Sequence, residues 1–205
     1  MNIFHHLLDH LRTTPQSESS DAQETQIVIS RIVPKARMKR LQLTEVPSIA
    51  EPAAAIVMTS RPKIAGVEPG PHSLVLEFAD VAYDHPQAMT PEQAAQAARF
   101  FKAHIGQGTI LVACDNGQAR STAMAAALLR YLDKDDSYIW DDPHFRPNQL
   151  VFARMMKALD LPLQPGEIEA LVARNEEAFH AAMVRGRDGG NSHRVLGASD
   201  TPPSH

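Results

Sequence analysis

Residues 109–132 join an apolar run to an alanine- and leucine-rich helical pattern through a short loop, and that junction limits what the chain can fold into. Thr109 to Ala113 has the composition of a strand and Arg120 to Leu132 the spacing of a helix. The residues between them therefore carry the chain from a strand end to a helix start. The first N–H groups of a helix have no intrahelical partner, and the helix dipole adds positive partial charge, so a loop wrapped there can cradle a phosphate-sized anion. Gly117 allows the loop a tight turn. The same field favours a thiolate at Cys114, the chain's one cysteine, and makes it nucleophilic. Arg120 lies close enough to fold back over the loop, where its planar fork can hold two oxygens of a phosphoryl group. The Ser121 hydroxyl can hydrogen-bond the sulfur when it must leave as a thiolate.

A single cysteine after such a run is often a small buried hydrophobe. Glycine at +3, arginine at +6 and serine or threonine at +7, however, coincide by chance only roughly once in a few thousand at ordinary composition. The strand and helix on either side narrow this further, and the loop is read as functional.

The segment Cys114 to Ser121 resembles the signature loop of the cysteine-based protein tyrosine phosphatases, in the dual-specificity and related bacterial branch. The resemblance implies a nucleophilic Cys114 assisted by Ser121. It also implies phosphate binding by Arg120 and by the loop amides of Asp115, Asn116, Gly117, Gln118 and Ala119, with an upstream aspartic acid as general acid. It implies an α/β fold, a single central sheet flanked by helices in three layers, and chemistry that needs no metal or organic cofactor. The family usually carries a histidine immediately before the nucleophile, where this chain has Ala113. That departure implies a less readily ionised thiol and a slower enzyme, and it keeps open a phosphate-binding pseudo-phosphatase. A rhodanese-like sulfurtransferase also places a cysteine in a loop before a helix, although the Arg-Ser ending of the loop argues against it.

Two residues qualify as the acid. The apolar run from Ser73 to Ala79 reads as a strand ending at Asp80, and Asp84 follows in a loop with Tyr83, His85 and Pro86. The family takes its acid from just after such a strand, which implies Asp80 first and Asp84 as the alternative. An acidic residue that simply ends a strand is the plainer reading. Downstream, Arg146-Pro147-Asn148 opens a helical segment, and the resemblance implies that Asn148 braces the signature loop through its side chain. Asn148 as a local helix cap explains the pattern equally well.

The remaining pattern is architectural. Thr90-Pro91-Glu92-Gln93 supplies an N-cap, a first-turn proline and a glutamine three residues after the cap, opening a helix that runs to about His104 with Ala94, Ala97, Ala98 and Phe101 on its apolar stripe. Strands at Ile27 to Ser30, Ala55 to Thr59, Leu74 to Phe78 and Thr109 to Ala113 alternate with helices at Pro91 to His104, Arg120 to Leu132, Pro147 to Leu159 and about Glu167 to Val184, giving an α/β layered domain. Tyr138 and Trp140 read as packing and loop residues. The expected organisation is a short helix and flexible polar segment over 1–25, a phosphatase-like catalytic domain over 26–184 and a disordered tail over 185–205.

A net charge of -4 gives no nucleic-acid signature, and no run approaches the roughly 18 apolar residues of a membrane span. One unpaired cysteine and the absence of a cationic-then-apolar start point to the cytoplasm. Arg31, Lys35, Arg37, Lys39 and Arg40 form a basic cluster that either steers phosphorylated ligands or is a solvated helix face. His6 and His10 stand one helical turn apart, and they read as an exposed amphipathic helix and not as a metal site. Before Arg120 the loop carries Asp115 and no lysine or arginine, so a substrate with one dianionic phosphate fits better than a multiply phosphorylated one. The expected partner is thus a phosphorylated protein, with phosphotyrosine favoured by analogy over phosphoserine or phosphothreonine, or a small phosphomonoester.

Overall fold

The computed structural model describes residues 23–31, 52–61 and 69–190. Four strands form one sheet: β1 (Gln23–Arg31), β2 (Ala54–Thr59), β3 (Ser73–Glu77) and β4 (Gln107–Cys114), in the spatial order β1-β4-β2-β3 with every neighbouring pair parallel. Parallel neighbours need crossovers. One of these is α1 (Pro91–His104), which carries the chain from β3 to β4 past the intervening β2. Four more helices follow: α2 (Arg120–Tyr131), the five-residue α3 (Ser137–Asp141), α4 (Gln149–Ala158) and α5 (Glu167–Gly190).

Strand alternation decides which side chains meet these helices. Register pairs Ile56 with Leu74 and Val112, and Met58 with Leu76 and Cys114, so these residues line one face of the sheet and all belong to the main hydrophobic cluster. Helices α1 and α2 pack on the sheet and α4 packs on both of them. Ala123 and Ala125 to Ala127 of α2 are completely buried, their small side chains letting the helix approach closely. Cys114 is the last residue of this apolar row and is 1% exposed.

Local signals account for the boundaries. In α1 the Thr90 hydroxyl accepts from the Gln93 N–H and the Gln93 side-chain oxygen accepts from the Thr90 N–H, closing a capping box ahead of Pro91. Helix α3 falls where packing and loop residues are expected. It buries Trp140 completely, with the indole N–H donating to Asp136 at 2.9 Å and the ring edge-on to Phe152.

Two ends differ from the sequence reading. Strand β1 begins at Gln23, inside the segment read as flexible. Its polar residues pair with β4, and the Thr25 hydroxyl accepts from the Gly106 N–H at 2.7 Å. Helix α5 continues to Gly190, past Val184. The expected N-terminal helix with His6 and His10, the basic residues from Lys35 to Arg40, and the tail beyond 190 lie outside the described residues. Among the described residues no helix is long and apolar enough to cross a membrane.

Candidate active site

The loop between β4 and α2 leaves the C-terminal end of a strand flanked on both sides, where parallel sheets commonly present their ligand sites. Gly117 adopts φ +71°, a left-handed conformation that would strain a side chain, and its N–H donates to Cys114 Sγ at 3.2 Å. The Ser121 hydroxyl lies 3.1 Å from the same sulfur and is fully buried. Two polar groups thus converge on a thiol that otherwise sits at the edge of the apolar core.

The last two carbonyls of the loop are satisfied. Gln118 O accepts from the Thr122 hydroxyl at 2.7 Å and the Arg146 N–H at 2.9 Å, while Ala119 O accepts from the Thr122 hydroxyl, the Ala123 N–H and the Asn148 N–H. Ala119 caps α2 without any side-chain bond. Among the described residues the N–H groups of Asn116, Gln118 and Ala119 have no protein acceptor, which leaves three donors open ahead of α2.

Arg120 is 3% exposed and held from two sides. Nη1 donates to the Phe78 carbonyl at 2.8 Å and Nη2 to Asp115 Oδ2 at 2.7 Å, with the Phe78 ring 5.8 Å from the guanidinium carbon. Nε is buried and has no partner. A buried unpaired donor is costly, and a charged one more so, unless something arrives to accept from it.

The Asp115 side chain is turned toward β2. Oδ1 accepts from the Thr59 hydroxyl at 2.7 Å, and Oδ2 accepts from the Ser60 N–H and hydroxyl at 3.2 and 3.3 Å as well as from Arg120. Burial pushes this carboxyl up, but the bonds from Thr59, Arg120 and Ser60 outweigh it and hold the group below the usual aspartate range. The unfolded chain therefore binds this proton more tightly than the folded one. The group's stabilisation is complete above the unfolded value of about 3.9 and is lost as pH falls from there through the lower folded value. Thr59 and Ser60 escaped the sequence reading; the signal available was a polar pair at the end of an expected strand.

The two acid candidates separate geometrically. Asp80 lies three residues beyond β3, and its Oδ1 accepts from Asn148 Nδ2 at 2.8 Å. Asp84 is 91% exposed at its side chain and pairs with Arg154 on α4 at 2.7 Å. Only Asp80 is connected to the signature loop, through Asn148.

Asn148 departs from the expected bracing role. Its side-chain oxygen caps α4, accepting from the Leu150 and Val151 N–H groups at 3.1 Å, while its amide nitrogen goes to Asp80. The loop is braced instead by the backbone N–H groups of Asn148 and Arg146. The side chain is 4% exposed, and its three bonds go to the first turn of α4 and to Asp80. Asn148→Ala should cost about 2 kcal/mol of stability through the lost cap and the lost bond to Asp80. Denaturant unfolding reads this directly, and a midpoint equal to wild type would mean these bonds do not contribute.

Fold and loop together define a parallel α/β protein with a buried thiol in the loop between a sheet strand and a helix N-terminus. No family model matches the sequence, and no curated protein does. Among solved structures the chain is similar to the crystal structure of PTPMT1 in complex with PI(5)P, at 17% identity over 79% of this chain and 96% of that one, with a TM-score of 0.36. It is also similar to the human tyrosine phosphatase-like serine/threonine/tyrosine-interacting protein, at 15% identity over 77% and 93% of the two chains, again with a TM-score of 0.36.

Proposed function

We propose that the chain is a cysteine-dependent phosphatase that hydrolyses phosphomonoesters through a phosphocysteine intermediate. The observation that supports this reading most directly is the buried Arg120 Nε without a partner, beside a nest of unpaired loop N–H groups around a thiol that already receives two polar contacts.

In the first step the Cys114 thiolate attacks phosphorus in line. The S–P bond forms as the P–O bond to the alcohol breaks, and Asp80 gives its proton to the departing oxygen. Loop amides and Arg120 hold the equatorial oxygens, whose charge they follow into the transition state. In the second step the Asp80 carboxylate takes a proton from water as that water attacks phosphorus. The P–S bond breaks and the thiolate is restored, stabilised by the Gly117 N–H and the Ser121 hydroxyl.

The substrate we favour carries a single dianionic phosphate, on phosphotyrosine or on phosphoserine or phosphothreonine in a protein. Asp115 supports this, since it spends one of the guanidinium's contacts on an internal carboxylate and brings no second cation to the loop. The second reading, a pseudo-phosphatase that binds phosphorylated partners without turnover, is favoured by Ala113. Its methyl is buried on the face opposite Cys114 and offers the loop no hydrogen bond.

Hydrolysis across pH 5 to 8 without added metal separates the two. With Asp80→Asn, an alkyl phosphate should lose on the order of 10²-fold in kcat, while an aryl phosphate with an acidic phenol should lose far less, because a good leaving group needs little protonation. Equal losses on both substrates would remove Asp80 from the acid role. Phosphate binding without hydrolysis of either by the wild type would make the protein a binding module.

A further inference from the structure

Arg120 can serve an anion only if its fork is aimed, and the protein aims it with one carboxylate. The two terminal nitrogens are fixed by unlike partners, a backbone carbonyl at Phe78 and the Asp115 carboxylate, while Nε is left open. Nη2 has two N–H groups, so its bond to Asp115 leaves one of them over besides the open Nε.

Asp115 is itself fixed from outside the loop. Thr59 holds one oxygen, and Ser60 holds the other through both backbone and side chain. Thr59 is fully buried, and its hydroxyl oxygen also accepts from the Arg61 N–H at 2.9 Å, which orients the O–H toward Asp115. The pairing of Met58 with Cys114 places the end of β2 beside the start of the loop. The tie to the neighbouring strand is therefore made one residue after the cysteine, on a chain whose preceding residue, Ala113, has no polar side chain.

We infer that Asp115 is a positioning residue for Arg120, anchored by Thr59 and Ser60, that presents the Nε edge of the guanidinium to the phosphoryl group. This inference rests on the phosphatase reading above and assigns to a side chain in that loop a role separate from substrate contact. A carboxylate this close to the anion site has a competing effect, since its charge repels a dianion. The two effects have opposite signs when the residue is removed. An aiming carboxylate makes its removal weaken phosphate binding, whereas a merely repulsive one makes its removal tighten it.

The experiment compares wild type, Asp115→Ala, Asp115→Asn and Thr59→Val for inorganic phosphate affinity by calorimetry and for kcat and KM on an aryl phosphate, with melting curves as the control for folding. Asp115→Ala should lower kcat/KM by on the order of 10²-fold and weaken phosphate binding. Asp115→Asn, which retains one acceptor, should fall between it and wild type, and Thr59→Val should lose about 5-fold, the equivalent of one neutral hydrogen bond. Thr59→Val carries the test if Asp115→Ala melts early. Phosphate affinity unchanged or tighter in Asp115→Ala or in Thr59→Val overturns the inference whether or not the wild type turns over. If the wild type binds phosphate without hydrolysing it and the variants weaken that binding, the inference holds and the phosphatase reading falls. If the wild type binds no phosphate, both fall.

Discussion

Cys114→Ser should lower turnover of an aryl phosphate by on the order of 10⁴-fold or more while leaving phosphate bound. The substitution changes one atom in a site whose surroundings are otherwise kept, since the Gly117 N–H and the Ser121 hydroxyl can bond an oxygen as they bond the sulfur. What is lost is the soft, polarisable sulfur that attacks phosphorus. A serine hydroxyl is almost entirely protonated at neutral pH, and the loop's field is far too weak to change that. The anion-binding groups, Arg120 and the loop amides, are untouched. Single-turnover kinetics beside a phosphate titration give both numbers from one preparation. Residual turnover within tenfold of wild type would rule out the thiolate as nucleophile.

Arg120→Lys is expected to cost 10²- to 10³-fold in kcat, the second largest effect. Lysine keeps the charge but offers a point in place of a planar fork, so it cannot reach the Phe78 carbonyl, Asp115 and a phosphoryl oxygen together. Lysine is a cleaner probe than alanine. Arg120 and Asp115 are 4% and 16% exposed at their side chains, and removing the cation altogether would strand a carboxylate among groups placed for a pair. A lysine variant whose kcat stays within about threefold of wild type would show that charge alone, and not the fork, is used.

The sequence made the centre of this site legible because its parts are contiguous. Cys114, Gly117, Arg120 and Ser121 lie within eight residues, and the strand and helix that hold them carry strong local signals. Helix α1 was legible for the same reason, since its capping box is a pattern of four adjacent residues. What escaped depends on register between distant segments. That Thr59 stands beside Asp115 follows from the pairing of β2 with β4, which no local pattern encodes. The direction of the Asn148 amide depends on Asp80 being carried to it by the turn after β3. Polar Gln23 to Thr25 read as flexible because nothing local shows that Gln23 pairs with Gln107 or that the Thr25 hydroxyl accepts from the Gly106 N–H. Helix α5 outran its expected end through Gly186, Gly189 and Gly190, each costing about 1 kcal/mol relative to alanine and so arguing for a stop that the chain does not make.

One amide, that of Asn148, closes the first turn of α4 with its oxygen and grips Asp80 with its nitrogen, while the backbone of the same residue supports the signature loop. Three parts of the site, drawn from positions 80, 119 and 148, are therefore fastened at a single point. Such a junction makes the site's integrity cooperative with the winding of a helix. On heating, the helical signal and the capacity to bind phosphate should disappear in one transition, with no range of temperature over which a folded chain holds a dismantled cradle.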